Sequence, residues 1–173
     1  KSRYRKSQRQ ASREPFCMKV RLIAVGTRMP EWVQQGIAEY EKRIRRELGF
    51  SIAEVALERR SKSRTIDQNV QAEGEALLRH VHRDDFVIAL EVKGKTLDTA
   101  TLARRLDEMK LEAKNLSFLV GGPDGLSAQC QARADECWSL SALTFPHPLV
   151  RILLVEQLYR AACVLKGHPY HRE

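Results

Sequence analysis

The sequence predicts an α/β protein with a mostly parallel sheet and helices on both faces. Three observations carry this. Strand-like and helix-like segments alternate through the chain in the order β-α-β-α-β-α-β-α-β-α. Phe86–Val92 (FVIALEV) and Leu116–Val120 (LSFLV) are near-continuous apolar runs, the pattern of strands covered on both faces. Three buried strands also run into unusual loops, at Leu90–Gly94, Gly121–Gly125 and Leu140–Pro148. Loops at strand ends are where open α/β sheets bind ligands.

Each element has its own signal. Lys19–Val25 is β-branched and alternating, a strand that Gly26 ends. Pro30 suits the first turn of a helix, and Trp32, Val33, Ile37, Tyr40 and Ile44 recur at helical spacing to about Glu47. Phe50–Leu57 is the second strand. The loop Glu58–Arg64 sets Arg59, Arg60, Lys62 and Arg64 against Glu58 alone, so it is either a solvated loop or one that touches phosphate. Thr65 and Gln68 form a capping box for a helix to about His80. Phe86–Val92 follows, then a turn at Gly94 and a helix through Lys110 capped by Asp98 or Thr99. Leu116–Val120 leads into the glycine loop, and Ser127 caps a short helix to about Glu136. The last strand is expected at Trp138–Leu143. Pro146 and Pro148 define a turn, because prolines so close together do not fit a helix interior or a central strand. A helix from about Leu149 past Cys163 completes the alternation.

The chain has 173 residues, enough for one domain with a sizeable core. No apolar run approaches a membrane span. The formal charge is +8, but residues 1–17 hold six Lys or Arg against Glu14 alone, leaving only +3 for the remainder. That permits an RNA partner without demanding one. Residues 1–17 lack any apolar period and read as a disordered leader or extension, with an RNA-binding arm as the alternative. Residues 18–173 then form the single folded domain. Cys17, Cys130, Cys137 and Cys163 form no C-x-x-C pair and read as incidental thiols of a reducing, cytoplasmic setting.

The motifs exclude several chemistries. GGPDG at 121–125 is not a dinucleotide fingerprint, and no phosphate-binding P-loop is present. No serine sits in a nucleophile elbow. His168 and His171 lack a third ligand at suitable spacing, so no metal site is expected. His147, between two prolines at the expected crevice, fits a structural hydrogen bond as well as a catalytic role. Glu156 and Arg160 lie one helical turn apart, so their heads can meet. The tail His168-Pro169-Tyr170-His171-Arg172-Glu173 has the aromatic and basic content that stacks on a base and holds a phosphate.

The segments LIAVGTRMPEWV, FLVGGPDGLS, SLSALTFPHPLVRILLVEQLYRA and HPYHRE resemble the bacterial large-subunit ribosomal RNA methyltransferases of the H type, small SPOUT-class enzymes. The likeness covers Met18–Glu173. It implies an α/β-knot fold with a C-terminal trefoil knot, S-adenosylmethionine as methyl donor, and a homodimer. The implied reaction is methylation of N3 of a pseudouridine in 23S ribosomal RNA on the assembled ribosome. By matching positions, Leu90, Gly121, Gly122 and Leu140, Ser141, Ala142, Leu143, Thr144 and Phe145 would cradle the donor. His171 would remove the N3 proton, with Tyr170 stacking on the base, Arg172 on phosphate, and Glu156 and Arg160 orienting tail or substrate. The partner's tail could complete the crevice. Two alternatives stay open: a non-catalytic ribosome-binding factor on the same fold, and a SPOUT methyltransferase for another RNA nucleotide.

Overall fold

A computed structural model describes residues 18–45 and 47–172, with side chains through Tyr170. Residues 1–17 lie outside the described part. Five strands, β1 (Lys19–Val25), β2 (Gly49–Val55), β3 (Phe86–Thr96), β4 (Leu116–Val120) and β5 (Glu136–Ser139), form one sheet in the order β2-β1-β4-β3-β5. Every pairing is parallel. The helices are α1 (Glu31–Ile44), α2 (Ile66–Leu78), α3 (Thr99–Leu111), α4 (Ala128–Arg133) and α5 (His147–Leu165), followed by a 3-10 turn at Pro169–Arg172.

The strand order dictates the layers. β1→β2 and β3→β4 step one way across the sheet, whereas β2→β3 and β4→β5 step the other way. Right-handed crossovers then put α1 and α3 on one face and α2 and α4 on the other. Side-chain alternation agrees. Val20, Leu22 and Ala24 pack with Ile44, Leu102, Leu106, Leu154 and Leu158. Ile23 and Val25 pack with Leu77 and Cys130 on the opposite face. All five residues of β4, the central strand, are buried. α5 lies between α1 and α3 on the first face.

The capping residues read from the sequence are in place. Thr65 and Gln68 form the reciprocal box of α2, Thr101 N–H donates to Asp98 at 2.7 Å, and Cys130 N–H donates to Ser127 at 3.2 Å. The end of the sheet away from these loops is tied by Asp85, which accepts from Ser117 Oγ at 2.7 Å, His82 N–H at 3.1 Å and Arg21 at 3.3 Å.

Several boundaries differ from expectation. β5 is Glu136–Ser139, not Trp138–Leu143, so Leu140–Phe145 is loop. Ser139 Oγ donates to the Ser141 carbonyl at 2.8 Å and Leu143 N–H donates to Ser141 Oγ at 2.9 Å. These local bonds curl the chain off the sheet edge. α4 stops at Arg133, short of Glu136, because Asp135 pairs with Val87 through both its backbone N–H and its carboxylate. β3 continues past Val92 to Thr96, and its bulge brings Gly94 against the Trp138 backbone. β2 ends at Val55 and α1 at Ile44, each shorter than the apolar pattern suggested. Finally, α5 starts at His147 and includes Pro148. Proline is tolerated there because the first-turn N–H groups have no intrahelical acceptor.

Candidate functional site

The C-terminal ends of β3, β4 and β5 and the start of α5 enclose a cavity of about 630 Å³. That volume suits a cofactor-sized ligand. Eight of the nine expected donor-site residues line it: Leu90, Gly121, Gly122, Leu140, Ser141, Leu143, Thr144 and Phe145. Ala142 belongs to the same loop, is exposed and does not line the cavity. Trp138 forms part of the wall. It is buried edge-on against Phe118 with ring centroids 5.8 Å apart, and its indole N–H donates to Glu136 at 2.6 Å.

The glycine loop is folded tightly on itself. Gly125 N–H donates to the Gly122 carbonyl at 3.1 Å, and Gly125 has φ +88°, a left-handed conformation that favours glycine. A β-carbon on Gly121 would lie 2.5 Å from the Gly125 carbonyl carbon and oxygen, so backbone fills the space where a side chain would go.

α2 and the loop before it brace this turn from behind, which the sequence did not reveal. Glu73 is only 2% exposed. Its carboxylate accepts from Glu58 N–H at 3.0 Å and from Arg60. Arg60 also bonds Asp124 inside the glycine loop, its Nε at 3.1 Å. Arg64 pairs with Glu58 at 2.6 Å. Two of the four cations in the charged loop are thus internal braces, and only Arg59 and Lys62 are left exposed without an ion pair among the described residues. A buried carboxylate that accepts from such partners fixes their positions.

A second feature missed in the sequence is Arg151, on the first full turn of α5 and 0% exposed. It bonds Glu54 through Nη1, while Nη2 donates to the Val25 and Gly26 carbonyls at 2.7 Å each. It therefore ties the ends of β1 and β2 to the helix that opens the cavity. Burial pushes its pKa below the ordinary guanidinium value, and Glu54 opposes that shift.

His147 lines the cavity, and its buried Nδ1 has no hydrogen-bond partner. Burial, with Arg151 nearby, lowers its pKa from the usual 6.5. The folded chain then binds a proton here less readily than the unfolded chain does. Stability from this site is complete above about pH 6.5 and is lost as pH falls below it. Urea midpoints between pH 7.5 and 5.5 should fall less for His147→Gln than for the native chain. An equal fall in both would show that His147 does not titrate with folding.

Glu156, Arg160 and Tyr170 are brought together, but away from their own cavity. Arg160 bonds Glu156 at 2.7 Å and stands 4.8 Å over the Tyr170 ring. Tyr170 packs on Tyr159 with centroids 4.8 Å apart, and its hydroxyl donates to Glu156 at 3.2 Å. Burial, with Tyr40 and Glu156 beside it, raises the phenol pKa. In the single chain the Tyr170 ring, expected to stack on a base, is engaged by Tyr159 and Arg160. The 3-10 turn carries the tail over the far end of α5. Tyr159 is twelve residues beyond His147, roughly 18 Å along a helix axis. None of Glu156, Arg160 and Tyr170 lines the cavity. The side chains of His171 and Arg172 lie outside the described residues.

A parallel sheet covered on both faces, with a glycine- and proline-walled cavity at its strand ends, defines an α/β ligand-binding fold of the open-sheet class. The family described as "Predicted SPOUT methyltransferase" matches residues 18–171, and the chain belongs to that family. Among its relatives is the "Ribosomal RNA large subunit methyltransferase H" of Saccharophagus degradans, 51% identical over 155 residues, or 90% of this chain and 100% of that one. The protein of the same name from Pseudomonas fluorescens is 50% identical with the same coverage. In three dimensions the chain is similar in fold to a "Probable Methyltransferase" from Bordetella pertussis. The TM-score is 0.56 at 15% identity, over 84% of this chain and 95% of that one.

Proposed function

We propose that this chain is an S-adenosylmethionine-dependent methyltransferase that acts on N3 of a pseudouridine in 23S ribosomal RNA, on the assembled large-subunit-containing ribosome, in the cytoplasm. One observation carries the reading. The full length of relatives named as large-subunit ribosomal RNA methyltransferases aligns at about half identity, and the aligned stretch includes every wall of the cavity.

The cavity suits the donor. It is mostly apolar, and among the described residues Glu91 is the one lining residue with a formal charge. Leu90, Gly121, Gly122 and Leu140–Phe145 would hold the donor, which when bound supplies a methyl group on a sulfonium. The chain must exclude water, align the accepting ring nitrogen and remove its proton. The loop Leu140–Phe145 and the Trp138 wall would serve the first task. His171 is the proposed base and Arg172 the proposed phosphate contact. Tyr170 is better suited to seating the tail, with Glu156 and Arg160 as its socket, than to stacking on the base.

The separation of that socket from its own cavity favours a homodimer in which each tail completes the partner's crevice. The knotted C-terminal path belongs to the same proposal. It is supported by β5 passing outside β3 before α5 returns between α1 and α3.

Mass mapping of 23S ribosomal RNA from cells lacking the gene, before and after adding the purified protein, tests the reaction. One methyl should return at a single pseudouridine; no mass change, or a methyl elsewhere, would overturn the reading. Tail sharing has its own test. A chain truncated after Gly167 and a Gly121→Ala chain should each be inactive, yet co-expression should restore about a quarter of native activity. No recovery would mean that each tail serves its own crevice.

A further inference from the structure

We propose that Glu91 makes the cavity sense the charge of its ligand, holding the sulfonium donor and releasing the thioether that remains after transfer. The inference rests on the methyl-donor reading and adds to it a residue that discriminates substrate from product.

The cavity is electrically one-sided. Among the described residues its lining includes no Lys or Arg, and Glu91 is the only formally charged residue in it. The one other titratable lining group, His147, faces Arg151. Arg151 itself is matched by Glu54. Strand alternation places Glu91 with Val87 and Ala89 on the α4 side of the sheet, near Leu126 at that end of the cavity. From α4, Gln131 Nε2 donates to Glu91 Oε1 at 3.3 Å. An amide donor fixes the direction of a carboxylate without cancelling its charge. Lys93 and Lys95 follow on the same strand, but both are exposed and neither pairs with Glu91 among the described residues. No cation among the described residues therefore cancels the field of this carboxylate at its end of the cavity.

The reaction removes one positive charge from the ligand. The bond from methyl carbon to sulfur breaks and its electron pair stays on sulfur, giving a neutral thioether. The new bond forms to N3, whose proton leaves to the base. Glu91 attracts the ligand before this step and loses that attraction after it. An uncharged pocket of the same shape would hold donor and product alike, and the product would then compete with the next donor.

Calorimetric titration of the full chain with S-adenosylmethionine and with S-adenosylhomocysteine tests this. Glu91→Gln should weaken the sulfonium donor by about tenfold and the thioether by less than about twofold. Glu91→Asp, which keeps the charge, should retain the native preference for donor over product. An analogue with a protonated amine in place of the sulfonium should follow the donor. Equal weakening of donor and product in Glu91→Gln, or no change in either, would overturn the inference while leaving the methyl-donor reading intact. A native chain that binds neither ligand would overturn that reading instead.

Discussion

Replacing Arg151 with methionine is expected to lower the unfolding free energy by about 3–5 kcal/mol. Methionine fills much of the same space but donates no hydrogen bond. The change leaves the Val25 and Gly26 carbonyls without the donor that each meets at 2.7 Å, in a place with no water access around the 0%-exposed side chain. Glu54 loses its partner too, but its side chain is 37% exposed and can turn to solvent. The two carbonyls and the released strand ends therefore carry most of the cost, which favours the lower half of the range. Arg151→Lys should recover part of the loss, since an ammonium can satisfy one direction of the fork but not all three. Urea unfolding at neutral pH measures both variants. A loss under about 1 kcal/mol for the methionine variant would mean that this tie does not hold the helix to the sheet.

Gly121→Ala is expected to reduce donor affinity by at least about a hundredfold while costing the fold only about 1–3 kcal/mol. The added carbon would meet the Gly125 carbonyl group at 2.5 Å and Leu126 N at 2.9 Å. All three atoms are backbone, so no side-chain rotation relieves the clash and the loop must open. The Arg60–Asp124 and Arg60–Glu73 bonds brace the loop from behind, so it would have to open into the cavity. The strands beneath need not move, which is why binding should suffer more than stability. Titration with S-adenosylmethionine beside a urea curve separates the two. Donor binding within threefold of native would show that the loop has room that its geometry denies.

Much of this arrangement was legible in the sequence, for identifiable reasons. Strands such as Leu116–Val120 are apolar but for Ser117 because helices cover both faces, and that pattern predicts a parallel sheet. The cavity was legible because the glycines and prolines that close it are ordinary turn markers. The end of β5 was not. Ser139-Leu140-Ser141-Ala142-Leu143 alternates like a strand, but its serines bond their own backbone and turn the chain away. The extension of β3 was hidden because Lys93-Gly94-Lys95 reads as a turn. Arg151 and Glu73 were invisible for a deeper reason. An arginine or glutamate in a helix normally faces water, and only partners far along the chain bury these two. Glu54 is 97 positions from Arg151, and Glu58 is 15 from Glu73. No local pattern encodes such pairings. The seat of Tyr170 against Tyr159 and Glu156 was half legible: the four-residue spacing of Glu156 and Arg160 was plain, but the position of the tail upon them was not.

The cavity draws its walls from Leu90, from the Gly121 turn and from Leu140–Val150, so its last side arrives only with the final quarter of the chain. A growing polypeptide on the ribosome would thus have no donor site until α5 has docked. Any ligand captured there binds only the finished protein, so its presence shifts the folding equilibrium toward completion.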